Sequence, residues 1–295
     1  MFRDDIQHIH QPEGDEDDTA AAHEAHTLDS LRQLLVDTPA GDLPAVQACF
    51  EDLAYYRETV AGAAQRKPPA AGLAGLGARL QALIEQFERQ VRGGVIDLKI
   101  AGPTVAAAIC SGLGVLPAIL DAGLLSKTAK GELGKTVAQL TRALTVAVTG
   151  APGEPDRQHT DDMLALLTWL SRGLKAGLLM SDDRALRDAF GAALDRMPEW
   201  TSAPGPSGLD GYTLASCFVQ VNTIRQFALL HLDGDGQGAQ ANRQRLQGVM
   251  RGLCLALPGI VAHDAGVKGV QTPMSATPSR TLSMPACCRS KPGPG

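Results

Sequence analysis

The segment MLALLTWLSRGLKAGLLMSDDRALRDAFGAALDRMPEW, Met163–Trp200, decides how the chain folds. Met163, Leu167, Leu170 and Leu174 recur at spacings of four, three and four residues, which places them on one face of an α-helix. Gly177 follows as a residue suited to the left-handed conformation that ends a helix, and the leucines behind it can fold back onto the last turn. Leu186, Phe190, Ala193 and Met197 then repeat the rhythm, so the unit reads as a pair of helices. A single pair is too small to cover its own apolar face and depends on neighbours for burial.

Those neighbours are present in the sequence. Before the unit, Ile109, Leu113, Leu116 and Leu120 lead into DAGLLS (Asp121–Ser126), with Gly123 at the stop, and then into Leu133, Val137, Leu140 and Leu144. After it come Leu214, Phe218 and Val221, the segment QFALLHL (Gln226–Leu232), and Leu246, Met250, Leu253 and Leu257. A more diverged pair is expected earlier, with one helix from Leu43 to Val60 and a second carrying Leu76, Leu80, Leu83 and Phe87. A short helix with Thr27 as N-cap and Leu28, Leu31 and Leu35 on one face closes the N-terminal end. The expected fold class is all-α: stacked antiparallel helix pairs, α-solenoid-like, over residues 27–264. Arg142, Arg172 and Arg251 fall off the apolar stripes and are expected on the solvent side, where substitution is tolerated.

Composition agrees with an all-helical chain. Of 295 residues, 44% are hydrophobic and only 4% aromatic, with few stretches of the β-branched and aromatic types that build strands. The net charge of −5 gives no reason to expect a nucleic-acid partner. Residues 1–26 carry Asp4, Asp5, Glu13, Asp15, Glu16, Asp17, Asp18 and Glu24 against Arg3 alone, and read as a disordered acidic tail. Residues 265–295 are rich in Pro, Ser, Thr and Gly, with Lys268, Arg280, Arg289 and Lys291 as their charges, and read as a disordered basic tail. Connectors TGAPGEPDRQ, from Thr149, and TSAPGPSGLDG, after Trp200, punctuate the units. No run of 18 apolar residues and no Sec-type leader is found, so no membrane span is expected. The cysteines, Cys49, Cys110, Cys217, Cys254, Cys287 and Cys288, form no C-x-x-C and are expected as reduced thiols, most of them buried.

Several stretches approach a functional motif and fall short. AKGELGKT, Ala129–Thr136, lacks only the first glycine of a phosphate-binding loop, but Leu133 within it is the first core position of a helix, and no strand precedes it. The loop DGDGQGAQANRQ, Asp233–Gln244, places Asp233 and Asp235 as calcium ligands, yet its fifth and twelfth positions are Gln237 and Gln244, which leaves two carboxylates. His8, His10, His23 and His26 lie in the acidic segment, and HEAH (His23–His26) is one residue short of a helical metal pair. His159, His231 and His263 have no nucleophile at a defined spacing. Asp161, Asp162, Asp182 and Asp183 stand at expected helix starts, where carboxylates cap free N–H groups, and Trp169 and Trp200 read as packing residues. No catalytic, cofactor-binding or metal-binding residue is assigned, and no cofactor is expected.

The unit Met163–Trp200, with its Leu/Ala first helix, its GLL break, its Arg/Leu second-helix start and its Pro-containing close, seen again in CLALPG (Cys254–Gly259), resembles the helical repeats of large type III secreted effectors of plant-pathogenic proteobacteria. The likeness covers residues 100–260; the Ser-Lys-Trp-Pro tetrapeptide of one such family is absent. The resemblance implies a virulence protein secreted into a host cell by a type III system and acting there by binding host proteins; without that route the chain is expected in the bacterial cytoplasm. The residues themselves imply a non-enzymatic protein-binding scaffold with an unidentified host or bacterial protein partner. A helical enzyme whose site is assembled across repeats, and a cytosolic adaptor or chaperone, are the alternatives.

Overall fold

The computed structural model describes residues 15–150, 157–180, 184–196, 222, 240–241, 243–252 and 254–255. Expectations that fall on other residues, among them the basic tail, the segment 197–221 and Leu253 and Leu257, lie outside them. Every regular element among the described residues is a helix. In chain order these are α1 (Asp15–Asp37), α2 (Leu43–Tyr55), α3 (Arg57–Gln65), α4 (Ala71–Arg92), α5 (Leu98–Ala101), α6 (Pro103–Leu113), α7 (Leu116–Asp121), α8 (Lys127–Thr149), α9 (Arg157–Lys175) and α10 (Arg184–Arg196). Residues 243–252 are helical as well.

Local chemistry sets most boundaries. Asp42 accepts a hydrogen bond from the Ala45 N–H at 3.4 Å at the start of α2, and Ser126 from the Ala129 N–H at 3.1 Å at the start of α8, each satisfying a donor that has no intrahelical partner. At the end of α9, Gly177 adopts φ 66°, its N–H bonds Leu174 O at 3.1 Å and the Leu178 N–H bonds Gly173 O at 2.9 Å. That is the double closure the glycine and its leucines imply. Gly123, at φ 71°, ends α7 at the corresponding place in the preceding unit.

Three boundaries differ from expectation. The N-terminal helix starts at Asp15, so part of the stretch read as an acidic tail is helical, and Thr27 is interior: its hydroxyl donates to His23 O at 2.9 Å. Ala20–Ala22 have the highest helix propensity and acidic residues favour the positive end of a helix dipole, which together extend the helix upstream. The helix expected from Leu43 to Val60 is broken at Tyr56 into α2 and α3. The Ile109–Leu120 stripe is likewise divided between α6 and α7, because the ring of Pro117 clashes with the carbonyl four residues back and removes a ladder donor.

The helices touch in two successions. α2 packs on α6 and α6 on α9; α1 packs on α4, α4 on α8 and α8 on α10. The segment 243–252 follows α10, with Arg245 paired to Asp195 at 2.6 Å and with Leu246 and Val249 buried. α6 also rests on α8, so that α2, α8 and α9 together pack around it. Its buried residues include Ala106, Ala107, Cys110 and Gly112, small enough for neighbouring backbones to come close. The stretch Pro103–Asp121, which spans α6 and α7, has the length and apolar composition to cross a membrane, with mean hydropathy 1.8, and 56% of it is buried inside the fold.

Most of the described stripe positions are buried as the periodicity requires, while Leu120, Leu174 and Met250 are partly buried against the core. Leu133, Val137, Leu140 and Leu144 of α8 and Met163, Leu167 and Leu170 of α9 are at most 1% exposed. Arg142 and Arg251 are on the solvent side, as expected. Arg172 is not: it is half-buried, and its guanidinium lies against Gly114, which has no side chain to keep it out.

Among the described glycines, Gly112 of α6, packed on Phe50 of α2, leaves the least room for a side chain. A Cβ on Gly112 would stand 2.5 Å from both the carbonyl oxygen and Cδ1 of Phe50, and a backbone carbonyl cannot swing aside. Gly112→Ala is expected to destabilise the chain by about 1–3 kcal/mol. Gly131, exposed on α8 with nothing near its missing side chain, is the matched control. Gly131→Ala should stabilise by about 0.5–1 kcal/mol. Chemical-denaturation midpoints compare the two; equal midpoints would refute the α2–α6 contact.

Candidate functional site

The near-match AKGELGKT lies wholly inside α8. Its backbone N–H groups enter the helical ladder, beginning with the Lys130 N–H on Ser126 O at 2.9 Å, instead of converging on a space outside the chain. Leu133 is fully buried, and Lys135 pairs with Glu132 at 2.8 Å on an open surface, the side chains 72% and 62% exposed. These residues form the first turns of a helix and make no phosphate cradle.

Buried polar groups are concentrated where α6, α8 and α9 meet. The indole N–H of Trp169 donates to the hydroxyl of Thr141 at 2.9 Å across α9 and α8, with both residues buried. The Thr145 hydroxyl in turn donates to Thr141 O at 2.8 Å. Asp162, expected as a cap at a helix start, is instead in the second turn of α9, 2% exposed, and accepts from Gln158 Nε2 at 3.0 Å. The reason is that α9 begins earlier, at Arg157. Burial, and secondarily the negative charge of Asp162, push the Cys110 thiol well above its ordinary range. Burial likewise raises Cys49, with Asp52 adding to the shift and a hydrogen bond to Thr38 opposing it. Such thiols stay protonated and are poor nucleophiles. Both are free and buried, as the sequence leads one to expect.

His23 and His26 lie exposed on α1. Among the described residues no group of three or more His, Cys, Asp or Glu side chains is placed to hold a metal ion. The calcium-like loop from Asp233 lies largely outside the described residues. His8, His10, His231, His263, Asp182, Asp183, Trp200, Cys217, Cys287 and Cys288 lie outside them too.

What the tertiary structure assembles is a stretch of basic surface. On α4 and α8 the exposed charged residues are Arg79, Arg89, Arg92, Lys127, Lys130, Lys135 and Arg142, with Glu132 as their exposed acid. On α2, α3, α7 and α9 the exposed acids are Glu51, Asp52, Glu58, Asp121 and Asp161, with Lys175 as an exposed base, while α1 and α10, in line with α4 and α8, carry the exposed acids Asp29, Asp37, Asp188 and Asp195. The basic side extends onto α1 through a cleft of about 520 Å³ between α1 and α4, lined by Arg32, Gln33, Val36, Gly75, Ala78, Arg79 and Ala82. Arg32 there is paired with Asp29 at 3.0 Å. The net charge of −5 concealed this face, because much of the acidic excess is carried by residues 1–26. A surface of this kind can steer and hold an acidic partner.

No family model, curated protein or solved structure matches the chain.

The state of the two buried thiols can be checked directly. Their neutral forms are favoured by the fold, so the stabilisation they carry is complete below the free-thiol pKa near ~8.5 and declines as pH rises above it. Peptide mapping after iodoacetamide treatment at pH 8 should find Cys49 and Cys110 unmodified in the native chain and modified in denaturant. Labelling of either one in the native chain as fast as a free thiol would contradict its burial.

Proposed function

We propose that the chain is a non-enzymatic helical-repeat scaffold that binds a protein partner, and that its basic face on α4 and α8 receives an acidic surface of that partner. The repeat is an α-solenoid-like stack in which α2 and α3 pair with α4, α6 and α7 with α8, and α9 with α10. α1 caps the stack. Support comes from the succession of neighbours, in which each first helix follows the previous first helix and each second helix the previous second. The cap reading is supported by α1, which buries Leu28, Leu31 and Leu35 inward and carries Asp29, Ser30, Arg32, Gln33 and Asp37 outward, as a terminal repeat must to remain soluble. We further propose, on the sequence resemblance alone, that it is a virulence effector delivered into a host cell by a type III system.

The observation that carries the binding reading is the excess of exposed cations over exposed acids on α4 and α8, where Glu132 stands alone against Arg79, Arg89, Arg92, Lys127, Lys130, Lys135 and Arg142. Extended faces built from successive repeats are how such stacks recognise proteins. The test is capture of host proteins from plant extract by the immobilised full chain and by a variant with Arg79, Arg89, Lys127 and Lys130 changed to Glu, its fold verified by circular dichroism. A partner retained by the parent, lost by the variant and released by raised salt is the expected outcome. Equal capture by both proteins would discard the basic face as the binding surface. Retention of double-stranded DNA by the parent at physiological salt would redirect the reading to nucleic acid.

A further inference from the structure

Where α6 gives way to α7 the chain turns through Gly114, and arginines from two other helices close over it. A Cβ on Gly114 would stand 2.8 Å from Nη1 of Arg172, on α9, and 3.7 Å from Cδ of Arg57, the first residue of α3. The Arg172 guanidinium thus lies in the space where a side chain is missing, half-buried and beside a second cation. Burial lowers its pKa, Arg57 lowers it further, and Glu58 opposes them. Arg172 makes no hydrogen bond and no ion pair with any of the described residues. Glu58 is already engaged: one of its oxygens accepts both Nε–H and Nη2–H of Arg57 at 3.2 Å.

A guanidinium presents five N–H donors in a rigid fork and does not lose its charge, so a partly desolvated one with no acceptor is held at a cost that an oxyanion would relieve. The same ion would cancel the repulsion between Arg172 and Arg57. Glu58 is a weak competitor, because its side chain is 84% exposed and its pairing is screened by solvent. A dianion matches two arginines better than a monoanion does, and a phosphoryl group carries about −1.5 to −2 charges at pH 7 on three acceptor oxygens. We propose that Arg172 and Arg57, brought together over Gly114, form a binding site for a phosphate-type oxyanion. The site does not depend on the scaffold reading: its arginines belong to α3 and α9, not to α4 or α8, and it needs no protein partner.

The test uses the full chain at constant ionic strength, titrated with inorganic phosphate, with glycerol phosphate and with acetate, and followed by melting temperature and by the arginine Nε–H resonances. Phosphate should raise the melting temperature saturably and shift the Arg172 resonance. A response to both phosphates identifies a phosphomonoester site, and a response to inorganic phosphate alone a site for the free ion. R172Q and R57Q should abolish the response, and R172K, which keeps the charge but loses the fork, should weaken binding by about tenfold. E58Q alters an exposed side chain and leaves the fold in place, and removing its competition should tighten phosphate binding. The proposal is overturned if no saturable response occurs, if R172Q or R57Q responds as the parent does, if E58Q leaves phosphate affinity unchanged, or if acetate binds as well as phosphate.

Discussion

The contact between Gly112 of α6 and Phe50 of α2 is the constraint on which the rest of this fold depends. With 2.5 Å between a would-be Cβ and the Phe50 carbonyl oxygen, the two backbones are too close to admit a side chain at Gly112. α6 therefore sits deep enough to be covered by α2, α8 and α9 together. Its small residues, Ala106, Ala107 and Cys110, serve the same end, and larger ones would push its neighbours apart. Gly77, whose Cβ would lie 2.8 Å from Ile119 Cγ2, plays a comparable part between α4 and α7.

Around this centre most of the polarity is paired, although the buried Ser171 hydroxyl of α9 has no hydrogen-bond partner among the described residues. The Trp169–Thr141 hydrogen bond ties α9 to α8 and satisfies an indole N–H that would otherwise be buried without a partner. Asp162 of α9 acts electrostatically on Cys110 of α6, where burial first and the carboxylate second raise the thiol pKa. These groups have chemistry available to them in principle, yet burial directs them to specifying how the helices meet. The chemistry open to partners is on the outside, in the basic side of α4 and α8 and in the paired arginines over Gly114.

The break between α6 and α7 links fold to surface. Pro117 interrupts the helix, and Gly114 leaves the turn without a side chain, so that the Arg172 guanidinium can lie against it.

The apolar period of α8 and α9, the stops at Gly123 and Gly177 and the burial of Leu140 and Leu170 were determined by the sequence itself, because they follow from spacing and from backbone conformations that few residues other than glycine adopt readily. So was the failure of AKGELGKT as a phosphate loop, since Leu133 had to face the core. The meeting of Arg57 with Arg172, the placement of Asp162 beside Cys110 and the gathering of cations on α4 and α8 were decided only by the tertiary structure. Each joins residues far apart in the chain, and no local propensity encodes which helix lies beside which. That choice is made by close packing: small residues at Gly112 and Gly77 and large ones at Phe50 and Ile119 admit one arrangement of backbones, and the surface charges are carried to wherever that arrangement leaves them.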